Sequence, residues 1–159
     1  MTLHLTTEER ALLAGDHGEA VSLAMRILVS AAELLGAQAL VRITSAHIDG
    51  CLHHGDGGVE FAEKLVATGG RVVVPTTLNV GALDLLHPDT VRADPSKLAM
   101  ARRQMDAYVS MGAEPTFTCA PYQIGHQPAF GEQVAWGESN AIAFANSVLG
   151  ARTERYGDF

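Results

Sequence analysis

The chain has 159 residues, a formal charge of −7 with neutral histidines, and 47% apolar residues. That is enough for one domain with a real core and rules out a disordered tail. The acidic balance excludes general binding to nucleic acid or to an anionic membrane, because neither would find a cationic surface. The start, Met1-Thr2-Leu3-His4-Leu5-Thr6-Thr7-Glu8-Glu9, lacks the basic and apolar runs of a signal peptide. No stretch approaches the ~20 apolar residues of a membrane helix. A cytoplasmic location is therefore expected, with the two distant cysteines reduced or metal-bound rather than joined.

Thr6 and Thr7 ahead of Glu8 and Glu9 read as a helix cap, and the short helix that follows ends at Gly15. From Gly18 to Leu35, Val21, Ala24, Met25, Leu28, Ala32 and Leu35 recur three or four apart and predict an amphipathic helix stopped by Gly36. Ala39–Ile43 reads as a strand, followed by the loop Thr44–Gly50. A second helix is expected over Val59–Thr68, with Phe61, Ala62, Leu65 and Val66 inward, closing on Gly69-Gly70. Val72-Val73-Val74 reads as a short buried strand ending at Pro75, and Phe117 with its neighbours as a third strand. Asp94 caps a long helix that starts at Pro95 and runs to Met111; a last helix spans Ser139–Leu149. Strands alternating with helices predict an α/β fold, with a parallel or mostly parallel sheet flanked by helices.

In such sheets sites gather at the carboxyl ends of the strands. Three polar loops fall there in this reading: Ser45/His47/Asp49, Thr76/Thr77/Asn79 and Thr118/Cys119. Cys119 lies between Pro115 and Pro121, which restrict the backbone around it. A lone cysteine is ordinarily a small buried hydrophobe, but a core cysteine does not need Thr118, Pro121 and Tyr122 beside it. His47, between Ser45 and Asp49, has the surroundings of an oriented acid or base. Cys51, His53 and His54 are ligand types at spacings that match no common zinc finger, and a polar loop accounts for them. Thr76, Thr77 and Asn79 are either turn residues or a substrate cradle. Ser139-Asn140 reads first as a helix cap and also as a seat for an anion, with Arg152 and Arg155 as a clamp. Trp136 and Tyr122 read as packing residues. His4, His17, His87 and His126 carry no assigned role.

Ser45-Ala46-His47-Ile48-Asp49-Gly50, Val74-Pro75-Thr76-Thr77-Leu78-Asn79-Val80, Thr118-Cys119-Ala120-Pro121-Tyr122 and Ala135-Trp136-Gly137-Glu138-Ser139-Asn140-Ala141 resemble the aconitase X family. So do Ala145–Thr153 and Arg155-Tyr156-Gly157-Asp158-Phe159, and the likeness runs through the whole chain in order. The resemblance implies that residues 1–159 are the N-terminal portion of an aconitase-like catalytic domain. It implies a hydro-lyase that dehydrates a small hydroxy acid, such as cis-3-hydroxy-L-proline or phosphomevalonate. It also implies an iron–sulfur cluster on three cysteines. Cys119 would be the first ligand and the others would lie outside this chain, with Cys51 a non-ligand. On the same basis Ser45 and His47 are candidate catalytic residues, and Thr76, Thr77, Asn79, Ser139, Asn140 and Arg152 candidate substrate-binding residues. Relatives continue past the run matched by Arg155–Phe159. The expected partners are therefore the remainder of the large part and a small swivelling subunit, with homo-oligomerisation also expected from exposed apolar surface.

Two other readings stand beside this one. A truncated paralogue would bind or assemble without catalysis. A mononuclear metal or Cys–His enzyme would use His47, Asp49 and Cys119.

Overall fold

Thr6 opens the first helix with a reciprocal cap. Its hydroxyl accepts the Glu9 N–H at 3.2 Å, and the Glu9 carboxylate accepts the Thr6 N–H at 2.6 Å. Two donors with no partner inside the helix are thereby satisfied. The computed structural model describes residues 2–49, 54–79, 81 and 83–153, with the backbone alone for Ser139 and Thr153. Helix α1 covers Thr7–Ala14 and ends at Gly15, whose φ of 97° is the left-handed geometry glycine adopts freely. Helix α2 covers Glu19–Leu34. Cys51, His53, Val80 and Arg155–Phe159 lie outside the described residues.

The chain divides into two compact units. One holds α1, α2, the segment onward through Arg42, and Lys64–Gly70; the other holds Ile43–Glu63 and the chain from Arg71. In the first, the Ser22 hydroxyl donates to the Leu13 carbonyl at 2.9 Å and ties α2 to α1. The Arg42–Glu8 ion pair is solvent-exposed and adds little. Ala20, Met25 and Ala32 are the buried residues of α2. The expected inward positions of Leu28 and Leu35 are corrected: they are 53% and 43% exposed, beside exposed Ile27 and Leu34. The apolar arc of this helix is wider than the stripe its neighbours cover.

The second unit is a five-stranded sheet, parallel throughout. Its strands are β1 (Ser45–Ile48), β2 (Thr76–Leu78), β3 (Glu114–Pro115), β4 (Gln133–Trp136) and β5 (Arg152–Thr153), in the order β3-β2-β1-β4-β5. Helix α3 (Asp56–Ala67) leads from β1 toward β2, α4 (Pro95–Ser110) joins β2 to β3, and α5 (Ser139–Phe144) follows β4 and runs into a wider π-type turn, Ala145–Leu149. Asp94 caps α4 by accepting the Ser96 N–H at 2.8 Å, with Pro95 at the first helical position as predicted. The Arg103 guanidinium clasps the Glu63 carboxylate through two bonds of 2.8 and 2.7 Å, which link α4 to α3.

The predicted strands are displaced. Ala39–Ile43 and Val72–Val74 form no strand, and Val73 is 94% exposed. The pairing strands are the polar segments just after them, so Ser45, His47, Thr76 and Thr77 sit within β1 and β2, not in loops. The third strand ends before Phe117, and neither β4 nor β5 was expected from the sequence. Short apolar runs do not reveal their own secondary structure, whereas β-branched threonines suit a strand covered on both faces. Phe61 is likewise 40% exposed, and Val59 and Ala62 fill the inward positions of α3.

Strand side chains alternate between faces. Leu78 packs with Met105 of α4 and Ala113, backed by Ile48, Tyr108 and Phe117. On the opposite face Val134 and Trp136 pack with Ala141, Ala145 and Ala151, backed by Tyr122. Among the described residues no helix is long and apolar enough to cross a membrane.

Leu78 is 0% exposed and Leu86 is 84% exposed. Leu78→Ala is expected to cost about 2–5 kcal/mol and Leu86→Ala less than about 0.5 kcal/mol. Urea unfolding of the two variants checks this, and equal midpoints would deny Leu78 its place in the core.

Candidate active site

The sheet ladder continues past the strand ends. The Gly137 N–H donates to the His47 carbonyl at 2.8 Å, the Asn79 N–H to Ile48 at 3.0 Å, and the Phe117 N–H to Leu78 at 2.9 Å. These bonds draw the exits of β1, β2, β3 and β4 together at the carboxyl edge. The strand order reverses between β1 and β4, which is where open α/β sheets form their crevice. At that crossing a Cβ on Gly137 would lie 2.6 Å from the Asp49 Cβ. Only glycine lets the two exits approach so closely.

His47 lies at the base of this edge, buried, with Nδ1 2.8 Å from the Thr77 hydroxyl on the paired strand. The Trp136 ring meets it edge-on, with centroids 6.3 Å apart, and His126 stacks on the same indole at 5.4 Å. Burial, with the nearby His126, lowers the His47 pKa from 6.5 to about 4, against the opposing pull of Asp49. Its imidazole is therefore neutral at pH 7. His126 is also lowered by burial, and its Nε2 lies 3.2 Å from the Ala46 carbonyl.

Above His47 sit Cys119, Asn79, Asp49 and Glu138. The Cys119 thiol is free and lies 3.6 Å from Asn79 Oδ1. Asn140 donates to the Cys119 carbonyl at 2.7 Å, and Thr118 accepts the Ala120 N–H at 3.0 Å, so the loop is held on both sides of the cysteine. Desolvation raises the thiol pKa, followed by the hydrogen bond and charge of Glu138 and the charge of Asp49. Burial raises Glu138 above the usual carboxylate range; Asp49 adds to the rise and the Cys119 hydrogen bond opposes it. Phe117 and Glu138 are the non-glycine residues with positive φ, 49° and 68°, among the described residues. Such strain is characteristic of functional sites, and here it brackets Cys119 and the end of β4.

The family model for the aconitase X first domain matches residues 2–159. This chain belongs to the aconitase X family. It is 51% identical over 95% of its length to a cis-3-hydroxy-L-proline dehydratase of Pseudomonas aeruginosa, covering 26% of that protein. It is 40% identical over 98% of its length to a phosphomevalonate dehydratase large subunit of Thermococcus kodakarensis, covering 38% of that protein. A crystal structure of the Thermococcus kodakaraensis aconitase X in its holo form matches with a TM-score of 0.85 at 40% identity, over 98% of this chain and 38% of that one. The chain thus spans about a quarter to two fifths of the relatives it matches.

Within this aconitase X chain, the predicted residues divide by position. His47, Thr77, Asn79, Cys119 and Asn140 come together at the carboxyl edge. Ser45 is buried lower in β1, where its hydroxyl accepts the Trp136 indole N–H at 3.3 Å. Thr76 turns its hydroxyl back to the Val74 carbonyl at 2.8 Å. Arg152 is exposed and pairs in register with Gln133, the first residue of β4, so the sheet sets it at the far end from Cys119. The Ser139 side chain lies outside the described residues. His47, Asp49 and Cys119 form no ligand set: among the described residues no three His, Cys, Asp or Glu side chains are grouped to hold a metal ion. The physical reason is that His47 is buried against Thr77 while Cys119 sits by Asn79. Sequence reasoning passed over Glu138. Only its place directly after the Trp136-Gly137 strand end hinted at a role.

Two outcomes follow from this geometry. Gly137→Ala is expected to destabilise the fold by about 1–3 kcal/mol through overpacking against Asp49, read as a lowered melting temperature; an unshifted melt would show that the exits are not in contact. For His47, the lowered folded pKa means the unfolded chain takes up the proton first as pH falls. Its contribution to stability is present above about pH 6.5, is lost between 6.5 and 4, and amounts to at most about 3 kcal/mol. In His47→Gln, urea midpoints across that window should lose this share of the acid sensitivity and keep the share due to His126. An unchanged slope would contradict a neutral, buried His47.

Proposed function

We propose that this chain is the cysteine-bearing N-terminal portion of a hydro-lyase that removes water from a small hydroxy acid, such as cis-3-hydroxy-L-proline or phosphomevalonate. The observation that carries the proposal is the position of Cys119: an accessible thiol, its loop fixed by Asn140, at the carboxyl edge of the sheet and beside Asn79 and Glu138. Its relatives with named activities are dehydratases.

The donor set fits an iron–sulfur cluster in one respect and limits it in another. The carboxylates of Asp49 and Glu138 oppose a bare thiolate at Cys119, and a bound cation offsets that opposition. The sequence holds two cysteines, so a set of three thiolates needs others from polypeptide outside this chain. When bound, such a cluster supplies a Lewis acid for the departing hydroxyl. The residues of this chain would do the rest. Cys119 holds the cluster, Asn140 fixes the cysteine loop, and Thr77 orients a neutral His47 toward the substrate side. Trp136 and His126 shield that imidazole from water.

The partners in this proposal are the remainder of the large part and a small swivelling subunit, in the cytoplasm. The relative from Thermococcus kodakarensis is itself named as a large subunit. The exposed face of α2, with Ile27 at 48% and Leu34 at 86%, supports the need for a second chain or a second copy. The rival reading is a non-catalytic binding or assembly subunit.

Cys119→Ser in the complete assembly is expected to abolish iron binding and dehydration together. Normal iron content and turnover in that variant sinks the role given to Cys119. Wild-type chain that yields no turnover with the remaining large part and small subunit favours the assembly reading.

A further inference from the structure

Two buried side-chain atoms face one another across a gap, and neither has a hydrogen-bond partner among the described residues: His47 Nε2 and Glu138 Oε1. They are 4.0 Å apart, and their side chains are 0% and 9% exposed. A direct N–H···O bond spans about 2.7–3.2 Å, so these atoms do not satisfy each other. Buried polar atoms are rarely left bare. One oxygen about 2.8 Å from each would satisfy both in a bent arrangement.

The chemistry on either side of the gap selects the guest. His47 Nδ1 is engaged with the Thr77 hydroxyl. With that hydroxyl donating to Nδ1, the ring proton sits on Nε2, which is then a donor. The Glu138 carboxylate is an acceptor. In that tautomer, and with Glu138 ionised, the guest atom accepts one hydrogen bond and donates another. A hydroxyl does both. A carboxylate or phosphate oxygen only accepts and would be repelled by Glu138, and an ammonium only donates. The left-handed backbone at Glu138, φ 68°, is what turns this side chain toward the gap in place of a continued strand.

We propose that His47 and Glu138 together seat a single hydroxyl oxygen of the bound hydroxy acid, which makes Glu138 a substrate-binding residue. The identity of the guest rests on the dehydratase reading; the seat itself rests on the two unpartnered atoms. The hydroxyl donates to Glu138 Oε1 and accepts from His47 Nε2.

The test uses the complete assembly and a ligand pair that differs by one hydroxyl, cis-3-hydroxy-L-proline and L-proline. A second pair is phosphomevalonate and its 3-deoxy analogue. Glu138→Ala is expected to weaken the hydroxylated member of whichever pair binds by about tenfold, the loss of one charge-assisted hydrogen bond. The deoxy member should stay within about twofold. Glu138→Gln, which keeps the side-chain shape, should fall between wild type and Glu138→Ala. Combining Glu138→Ala with His47→Gln should add little, because both residues hold one oxygen. Equal losses for both members of a pair, or fully additive losses, overturn the seat. A crystal structure of the ligand-free assembly supplies an arm independent of substrate: an ordered water within about 3.2 Å of both atoms is expected. Direct contact between His47 and Glu138 in that structure overturns the proposal. If neither hydroxy acid binds the wild type, the dehydratase reading fails, and the water alone decides whether the seat exists.

Discussion

The site depends on three backbone hydrogen bonds that lie beyond the regular strands: Gly137 to His47, Asn79 to Ile48, and Phe117 to Leu78. The strands themselves are two to four residues long, too short to aim their exit loops by stiffness. Each of these bonds takes the last or last-but-one carbonyl of one strand and gives it to the loop leaving a neighbouring strand. Four loops from distant parts of the sequence are thereby drawn into one edge. Parallel pairing makes this possible, because all four leave in the same direction.

The same arrangement explains why polar residues occupy strand interiors. Ser45, His47 and Thr77 would be poor choices for a sheet whose faces carry only apolar packing. Each instead finds a cross-strand partner: Ser45 takes the indole N–H of Trp136, and His47 takes the Thr77 hydroxyl. Trp136 is fully buried and touches both histidines, so it is a structural pillar as well as a wall of the site. Desolvation of His47 is a consequence of that packing.

The helices were legible because their ends are local chemistry. Thr6 with Glu9, Asp94 with Pro95, and Gly15 sit where caps belong, and neighbouring residues suffice to read them. Strand positions were not. Ala39–Ile43 and Val72–Val74 look more like strands than Ser45–Ile48 and Thr76–Leu78, and only pairing across the sheet decides between them. The family resemblance was carried by those same polar segments, while the strand reading set them in loops. Arg152 is set at the other end of the sheet by a register that no local pattern encodes. Glu138 escaped notice because a left-handed glutamate has no sequence signature.

Glu138 keeps a long carboxylate on a backbone geometry that favours glycine. Relaxing that residue and retaining its chemistry are opposed demands. Variants selected only for heat resistance would drift toward glycine or asparagine at this position and emerge hardier but chemically blunted. Thermostabilisation campaigns on this fold therefore need a functional screen running alongside them.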